Sequence, residues 1–446
     1  MTNLFYQTKS PRPMLKGAEG IHMWDTDGKR YIDGSSGAMV SNIGHSNPAV
    51  LAAMRAQMDQ STFGYRLHFQ TASSEALAEK ITSLTPKGLD RAFFVSGGSE
   101  AVESALKMAR QYALTQGQAQ RFKVISRYPS YHGSTLGALA ITGYAPMTAP
   151  FDPMMKSMPK IPAPRAYLDG LDMGDPATGL YYANMLEAKI LEEGAETVLA
   201  FILEPIGGAA TGALVPPAGY MHRIREICDQ YDVLLIHDEV MTGGGRTGKF
   251  FGAEHWDVTP DIISLSKGFG AGYVPLGAMI ARNDMVEAVL EAGGFVHGYT
   301  YAGNPLACAA GLAVLNEIEK QGLTANAARM GDALKTRLES LMQRYPVIGD
   351  VRGKGLLLAF ELMADRATKE PLPVGFNAHS RLVDIAYENG LIIYSRRTRG
   401  GISGDHFLIC PPMIVTEPQL DEIAGILDHS MKQLMTEMPD PADPTS

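Results

Sequence analysis

Between residues 91 and 320 the apolar positions fall in short unbroken runs, each ending at small residues before a helical pattern begins. The runs lie at 92–95, 124–126, 198–203, 233–236, 262–265 and 276–280. A run without polar alternation fits a strand covered on both faces, which predicts a mostly parallel sheet in an α/β fold. Helical spacing is read at 47–58, 73–84 (Ala76, Leu77 and Ile81 on one face), 100–115 and 305–320. Residues 21–45 read as short strands with a turn at Asp25-Thr26-Asp27-Gly28. Residues 143–180, rich in Pro, Met and Gly, read as a long irregular segment of the kind that often carries function. Beyond 320 the character changes to helices at 325–343 and 417–436 and strands at 351–362 and 391–394, a smaller α+β lobe. The first 20 residues form a polar arm with an isolated apolar patch, Leu4, Phe5 and Tyr6.

Composition narrows the class. The 446 residues are 45% apolar and 20% charged, which fits a globular protein of two domains or one large domain with an accessory lobe. A net charge of −9 argues against a nucleic-acid binder or a protein of anionic membranes. Cys228, Cys308 and Cys410 are far apart and form no CxxC pair, so a reducing, cytoplasmic setting is expected, and no metal site. The first residues hold no apolar run resembling a secretory signal, and no stretch reaches the length of a membrane span. The 47 glycines cluster at the ends of apolar runs, where backbone turns tightly or approaches a ligand.

Four strand ends carry chemistry, and each has a bland alternative. Asp238 closes the run 233–236, where ligand groups of open α/β sheets collect; an acid paired with an arginine such as Arg246 would look the same. Lys267 follows the run 262–265 and precedes glycines. A desolvated lysine becomes a nucleophile for carbonyls, whereas a snorkelling surface lysine does nothing. Ser96-Gly97-Gly98-Ser99-Glu100 lies between strand and helix, a place for a phosphate or simply an N-cap at Ser99. Tyr131-His132-Gly133 offers an aromatic plate or a core aromatic beside a turn. Gly243, Gly245 and Gly248 imitate a dinucleotide motif and most of a P-loop, but Phe250 stands where a P-loop needs a hydroxyl, and no helix follows. Neither a GxSxG elbow nor an HExxH motif occurs. Together, a helix start for phosphate, an aromatic plate, a strand-end acid and a strand-end lysine specify pyridoxal phosphate.

At this point the sequence resembles the class III aminotransferases of the fold-type I pyridoxal-phosphate enzymes, especially the ω-amino acid and amine:pyruvate branch. The resemblance covers nearly the whole chain. It rests on residues 20–34, on SGGSEAVESALK at 96–107, Tyr131-His132-Gly133, Glu204-Pro205-Ile206, Asp238-Glu239-Val240 with the glycine run 243–248, Ser266-Lys267-Gly268 and residues 298–305. Lys267 lies 29 residues after Asp238, the family's spacing.

The resemblance implies a mostly parallel seven-stranded sheet covered by helices, with a smaller α+β lobe from both chain ends. The corresponding division is 1–45 (arm and part of the small domain), 46–322 (large cofactor domain) and 323–446 (C-terminal small domain). It implies that Lys267 forms the Schiff base with pyridoxal 5′-phosphate and shuttles the proton, and that Asp238 pairs with the pyridine nitrogen. Tyr131 and Val240 would sandwich the ring, with His132 in the stacking motif and Glu204 bracing the site. Gly98, Ser99 and Thr300 of a neighbouring copy would hold the phosphate, which implies a homodimer, possibly a tetramer, with composite sites. The implied reaction is a ping-pong transfer from an ω-amino acid or amine to a keto acid such as pyruvate; a lyase or racemase on the same scaffold is the alternative. Ala38, Met39, Tyr65 and Arg66 match pocket-lining positions, and Phe5 or Tyr6 could close the pocket from the arm. For the arginine that binds the acceptor carboxylate, Arg396, Arg397 and Arg399 are candidates. Gly401 occupies the position where that arginine is expected, and among the three Arg399 is assigned the role.

Overall fold

The computed structural model describes residues 3–7 and 12–438; the rest of the N-terminal arm and the last eight residues lie outside the described residues. The N-terminal strands β1 (Leu15–Glu19), β2 (His22–Asp25) and β3 (Arg30–Asp33) form an antiparallel meander. The central sheet contains β4 (Arg91–Val95), β5 (Lys123–Tyr128), β6 (Lys160–Pro162), β7 (Val198–Leu203), β8 (Leu234–Asp238), β9 (Ile262–Leu265) and β10 (Gly277–Ala281). Its order is β4-β10-β9-β8-β7-β5-β6. All pairings are parallel except those of β10, which runs against both neighbours. Six of these seven strands were legible as apolar runs. The seventh, β6, is three residues long at the sheet edge and sits inside the segment read as irregular.

The apolar runs behave as their lack of alternation requires. Every residue of β7, β9 and β10 is buried, because helices cover both faces. Asparagine-proline pairs start two of the outer helices. Asn47 accepts from the N–H groups of Ala49 and Val50 at the head of Pro48–Gln60, and Asn304 from that of Ala307 at the head of Pro305–Lys320.

The C-terminal lobe is built on β11 (Ile348–Lys354), β12 (Leu357–Asp365), β15 (Tyr394–Arg399) and β16 (Ser403–Ile409), with the two-residue β13 (Glu370–Pro371) on β12. The remaining strand, β14 (Leu391–Ile392), leaves this sheet and pairs in parallel with β3, Leu391 opposite Ile32. The two chain ends are therefore woven into one lobe. Arg246 ties that lobe to the central domain. It is fully buried, and it donates to Ser36 Oγ (2.9 Å), Asn42 Oδ1 (2.7 Å) and the carbonyls of Leu356 (3.4 Å), Cys410 (3.3 Å) and Pro411. Arg246 is thus not the partner of Asp238. Desolvation lowers its pKa to about 10.

Candidate active site

Strands β5, β7, β8 and β9 run the same way, so their carboxyl ends share one rim of the sheet. Tyr131 and His132 follow β5, Glu204 follows β7, Asp238 ends β8, and Lys267 stands two residues beyond β9. β4 points the same way, since it is antiparallel to β10, which is itself antiparallel to β9. Its end delivers the helix Gly98–Thr115 to the same rim.

Asp238 is buried, and its carboxylate is held on both oxygens. His132 Nδ1 lies 2.8 Å from Oδ2, and the Val240 N–H donates to Oδ1 at 3.1 Å. A carboxylate only accepts, so Nδ1 carries the proton, and the buried His132 Nε2 has no partner among the described residues. Glu204 lies alongside: Oε1 accepts from the Gly208 N–H (2.9 Å), and Oε2 is buried and, among the described residues, unpartnered. Burial pushes the Glu204 carboxyl pKa up against the pull of His132 and Arg127. Lys267 is part-buried, with a backbone φ of +48°. Desolvation lowers its pKa to about 8, with Asp238 and Glu204 acting in the opposite sense. At neutral pH a useful fraction of this amine is therefore uncharged.

The helix start differs from the expected cap. The N-cap is Gly97, which offers no side chain, and Ser99 lies inside the first turn. Ser99 Oγ instead accepts from the Ser134 N–H at 3.0 Å. No side chain caps this helix terminus, so its leading N–H groups face the rim with their dipole. Space is kept open there by glycine. A Cβ at Gly98 would come 3.0 Å from Val240 Cγ1, and one at Gly133 2.7 Å from Ser99 Oγ. An uncapped helix start, a held carboxylate and a softened lysine on one rim fit a flat, phosphorylated, nitrogen-containing ring.

A cavity of about 210 Å³ opens above Lys267. Ala38, Met39 and Tyr131 line it as expected, joined by Tyr144, Met147, Ala209, Ala210, Met241, Tyr394 and Arg396. Among the three candidate arginines the structure corrects the choice. Arg399 turns away and donates to the Lys369 carbonyl. Arg397 is engaged by Asp405 at 3.1 Å. Arg396 reaches the cavity, its guanidinium 4.7 Å from the Tyr394 ring centre and, among the described residues, paired with no carboxylate. Tyr65 packs edge-on to His68 at 5.2 Å, Arg66 donates to the Tyr299 carbonyl (2.9 Å), and Thr300 sits in an exposed turn. None of these three lines the cavity of its own chain. Phe5 and Tyr6 are exposed and do not line it either. Sequence reasoning missed Tyr144, Met147, Ala209, Ala210, Met241 and Tyr394, although 143–180 was marked as functional and supplies the first two.

The glycine run 243–248 forms consecutive turns that open no helix. A Cβ at Gly243 would lie 2.3 Å from Leu265 Cδ1, and one at Gly248 (φ +86°) 2.9 Å from Ala328 Cβ. The run packs domain against lobe, and its resemblance to nucleotide motifs is incidental.

Comparison with known proteins identifies the family. The family model for "Aminotransferase class-III" matches residues 6–431. The chain belongs to the class III aminotransferases, and it is an enzyme of that type. It is 36% identical to the putrescine–pyruvate aminotransferase of Pseudomonas aeruginosa over 94% of this chain and 90% of that one. A thermostable (S)-enantioselective ω-transaminase from Thermomicrobium roseum superposes with a TM-score of 0.91 at 34% identity, over 97% and 96% of the two chains. An amine transaminase of an uncultivated Pseudomonas species, solved in its PLP-bound form, does so with a TM-score of 0.89 at 34% identity, over 98% and 99%.

Proposed function

We propose that this enzyme binds pyridoxal 5′-phosphate on the described rim and transfers an amino group from an ω-amino acid or primary amine to pyruvate. The observation that carries this reading is the convergence of Lys267, Asp238 and the uncapped start of helix Gly98–Thr115 on one rim. When bound, the cofactor supplies an electron sink conjugated to the carbon that bears the amine. Asp238, oriented by His132, would hold a proton at the ring nitrogen. Gly98 and Ser99 would offer backbone N–H groups to the phosphate, and Tyr131 and Val240 would pack on the ring. Glu204 braces the rim. Lys267 would hold the cofactor, and its amine, once freed by the incoming donor, would be the group placed to move a proton between the donor carbon and the adjoining position. Donor product leaves before acceptor binds, a ping-pong sequence. The pyruvate carboxylate meets Arg396, the unpaired arginine of the cavity.

A pyruvate-dependent amine-donor panel tests this, with Lys267→Ala as control; transamination surviving that substitution would sink the assignment. Arg396→Ala should raise KM for pyruvate about 10- to 100-fold, the loss of one charge-assisted contact, and leave KM for a monoamine that carries no carboxylate within a few-fold.

The same reading makes the enzyme a homodimer in which Thr300 of one copy reaches the phosphate of the other. It is supported by the groove of about 570 Å³ running past Gly64, Arg66, Phe93 and Gly303 beside exposed Leu67, Phe69 and Tyr301. The division 1–45, 46–322 and 323–446 is supported by the change from the central sheet to the lobe sheets after helix Pro305–Lys320. Three buried free thiols favour a cytoplasmic setting. Among the described residues no helix is long and apolar enough to cross a membrane.

A further inference from the structure

A second cavity, about 430 Å³, has Tyr144 in common with the catalytic one, and exposed Asp152 and Lys156 among its lining. Tyr144 lines both cavities. The short helix Ala145–Thr148 continues the wall, with Met147 on the catalytic side and Ala145 and Thr148 on the outer side. Tyr144 is 6% exposed, and its side chain stands in the wall that the two spaces share. It is also fixed in place. The Arg397 N–H donates to its hydroxyl at 3.3 Å, and the Gly401 turn presses on it so closely that a Cβ there would lie 2.9 Å from Tyr144 Cε1.

We infer that Tyr144 is a specificity-determining partition: it ends the donor pocket at about 210 Å³ and closes off the outer cavity, so removing its ring lets the far end of a longer donor pass through. This rests on the donor reading above and adds a size limit set by one residue. The limit acts on the part of the donor remote from the amine, where a pocket discriminates through van der Waals fit. No bond is made or broken there, so the chemistry at Lys267 is untouched.

The test is a homologous series of 1-aminoalkanes, butyl to dodecyl, with pyruvate as acceptor and kcat/KM measured for each. The holoenzyme is compared with Tyr144→Ala, Tyr144→Val and Tyr144→Phe. In the unsubstituted enzyme kcat/KM should fall beyond a definite chain length. Tyr144→Ala should raise the ratio of kcat/KM for the long members to that for butylamine at least 10-fold, and Tyr144→Val should do so in part. Tyr144→Phe keeps the ring, loses only the hydroxyl contact to Arg397, and should keep the original cut-off. Tyr144→Val serves if the alanine variant fails to fold. No gain for long members in either ring-removing variant overturns the partition. A Tyr144→Phe shift as large as that of Tyr144→Ala also overturns it, since the hydroxyl contact would then be responsible. Inactivity of the unsubstituted enzyme with butylamine, β-alanine and 1-phenylethylamine alike would instead overturn the donor reading.

Discussion

Lys267 pays for its reactivity in stability. It adopts a left-handed backbone at φ +48°, and its ammonium is desolvated with only partial compensation from Asp238 and Glu204. Its pKa falls from 10.5 to about 8 on folding, so between those values the folded chain binds fewer protons than the unfolded one. Stability contributed by this site therefore rises with pH across that window, and the full cost is present below about pH 8. Lys267→Met should stabilise the cofactor-free protein at pH 7 by about 1–3 kcal/mol, discounted for partial exposure, in urea unfolding. The gain should shrink as pH is raised toward 10. Asp238→Asn removes a charge that favours the ammonium, so it should move the midpoint for amine modification of the cofactor-free enzyme at Lys267 further below 8. At this scale Lys267, Asp238 and Tyr131 were legible because a residue placed just after an apolar run can only emerge at the sheet rim. The arginine was not. Side chains alternate along β15, so Tyr394 and Arg396 share the cavity side while Arg397 and Arg399 point elsewhere. Apolar patterning marks the strand only to Tyr394, and the charged residues that continue it carry no such signal.

Among the elements, the start of helix Gly98–Thr115 matters most. A serine followed by acids reads as an N-cap at Ser99, and nothing local distinguishes it from the true cap at Gly97. What decides is the neighbouring loop, whose Ser134 N–H claims Ser99 Oγ. Gly133 makes that approach possible at φ +140°, where a methyl group would strike both Ser99 Oγ and, at 2.8 Å, Ala138 Cβ. Gly133→Ala should weaken pyridoxal-phosphate binding at least 10-fold by equilibrium dialysis, because the loop must retreat from the helix start. The short edge strand β6 escaped prediction for a related reason. It takes its strand character from its partner β5, and three residues carry no period of their own, whereas the strand at 391–394 was legible. The Arg246 contacts were equally hidden, since they join segments more than a hundred residues apart. Arg246→Ala should cost about 3 kcal/mol or more, as several buried acceptors lose their donor at once.

On the scale of the whole molecule, the proposed homodimer accounts for two residues that the cavity of one chain leaves out. Thr300 and Tyr65 both lie away from the cavity, on a face where Leu67 is 72% and Val296 85% exposed. A face this apolar on a chain of net charge −9 is expected to be covered. Leu67→Asp combined with Phe69→Asp should shift the sedimentation coefficient to that of a monomer and abolish transamination together. Loss of either property without the other would separate assembly from catalysis.

The pairing of β3 with β14 also sets a timetable for synthesis. Ile32 leaves the ribosome about 360 residues before Leu391, which at about 5–20 residues per second is roughly 20–70 s. For that interval β3 exposes one edge with no strand to receive, while the central sheet beyond residue 90 can already assemble. Such a chain finishes its N-terminal lobe last although that lobe is made first. It therefore depends on something that keeps a nascent strand edge from pairing with the wrong partner.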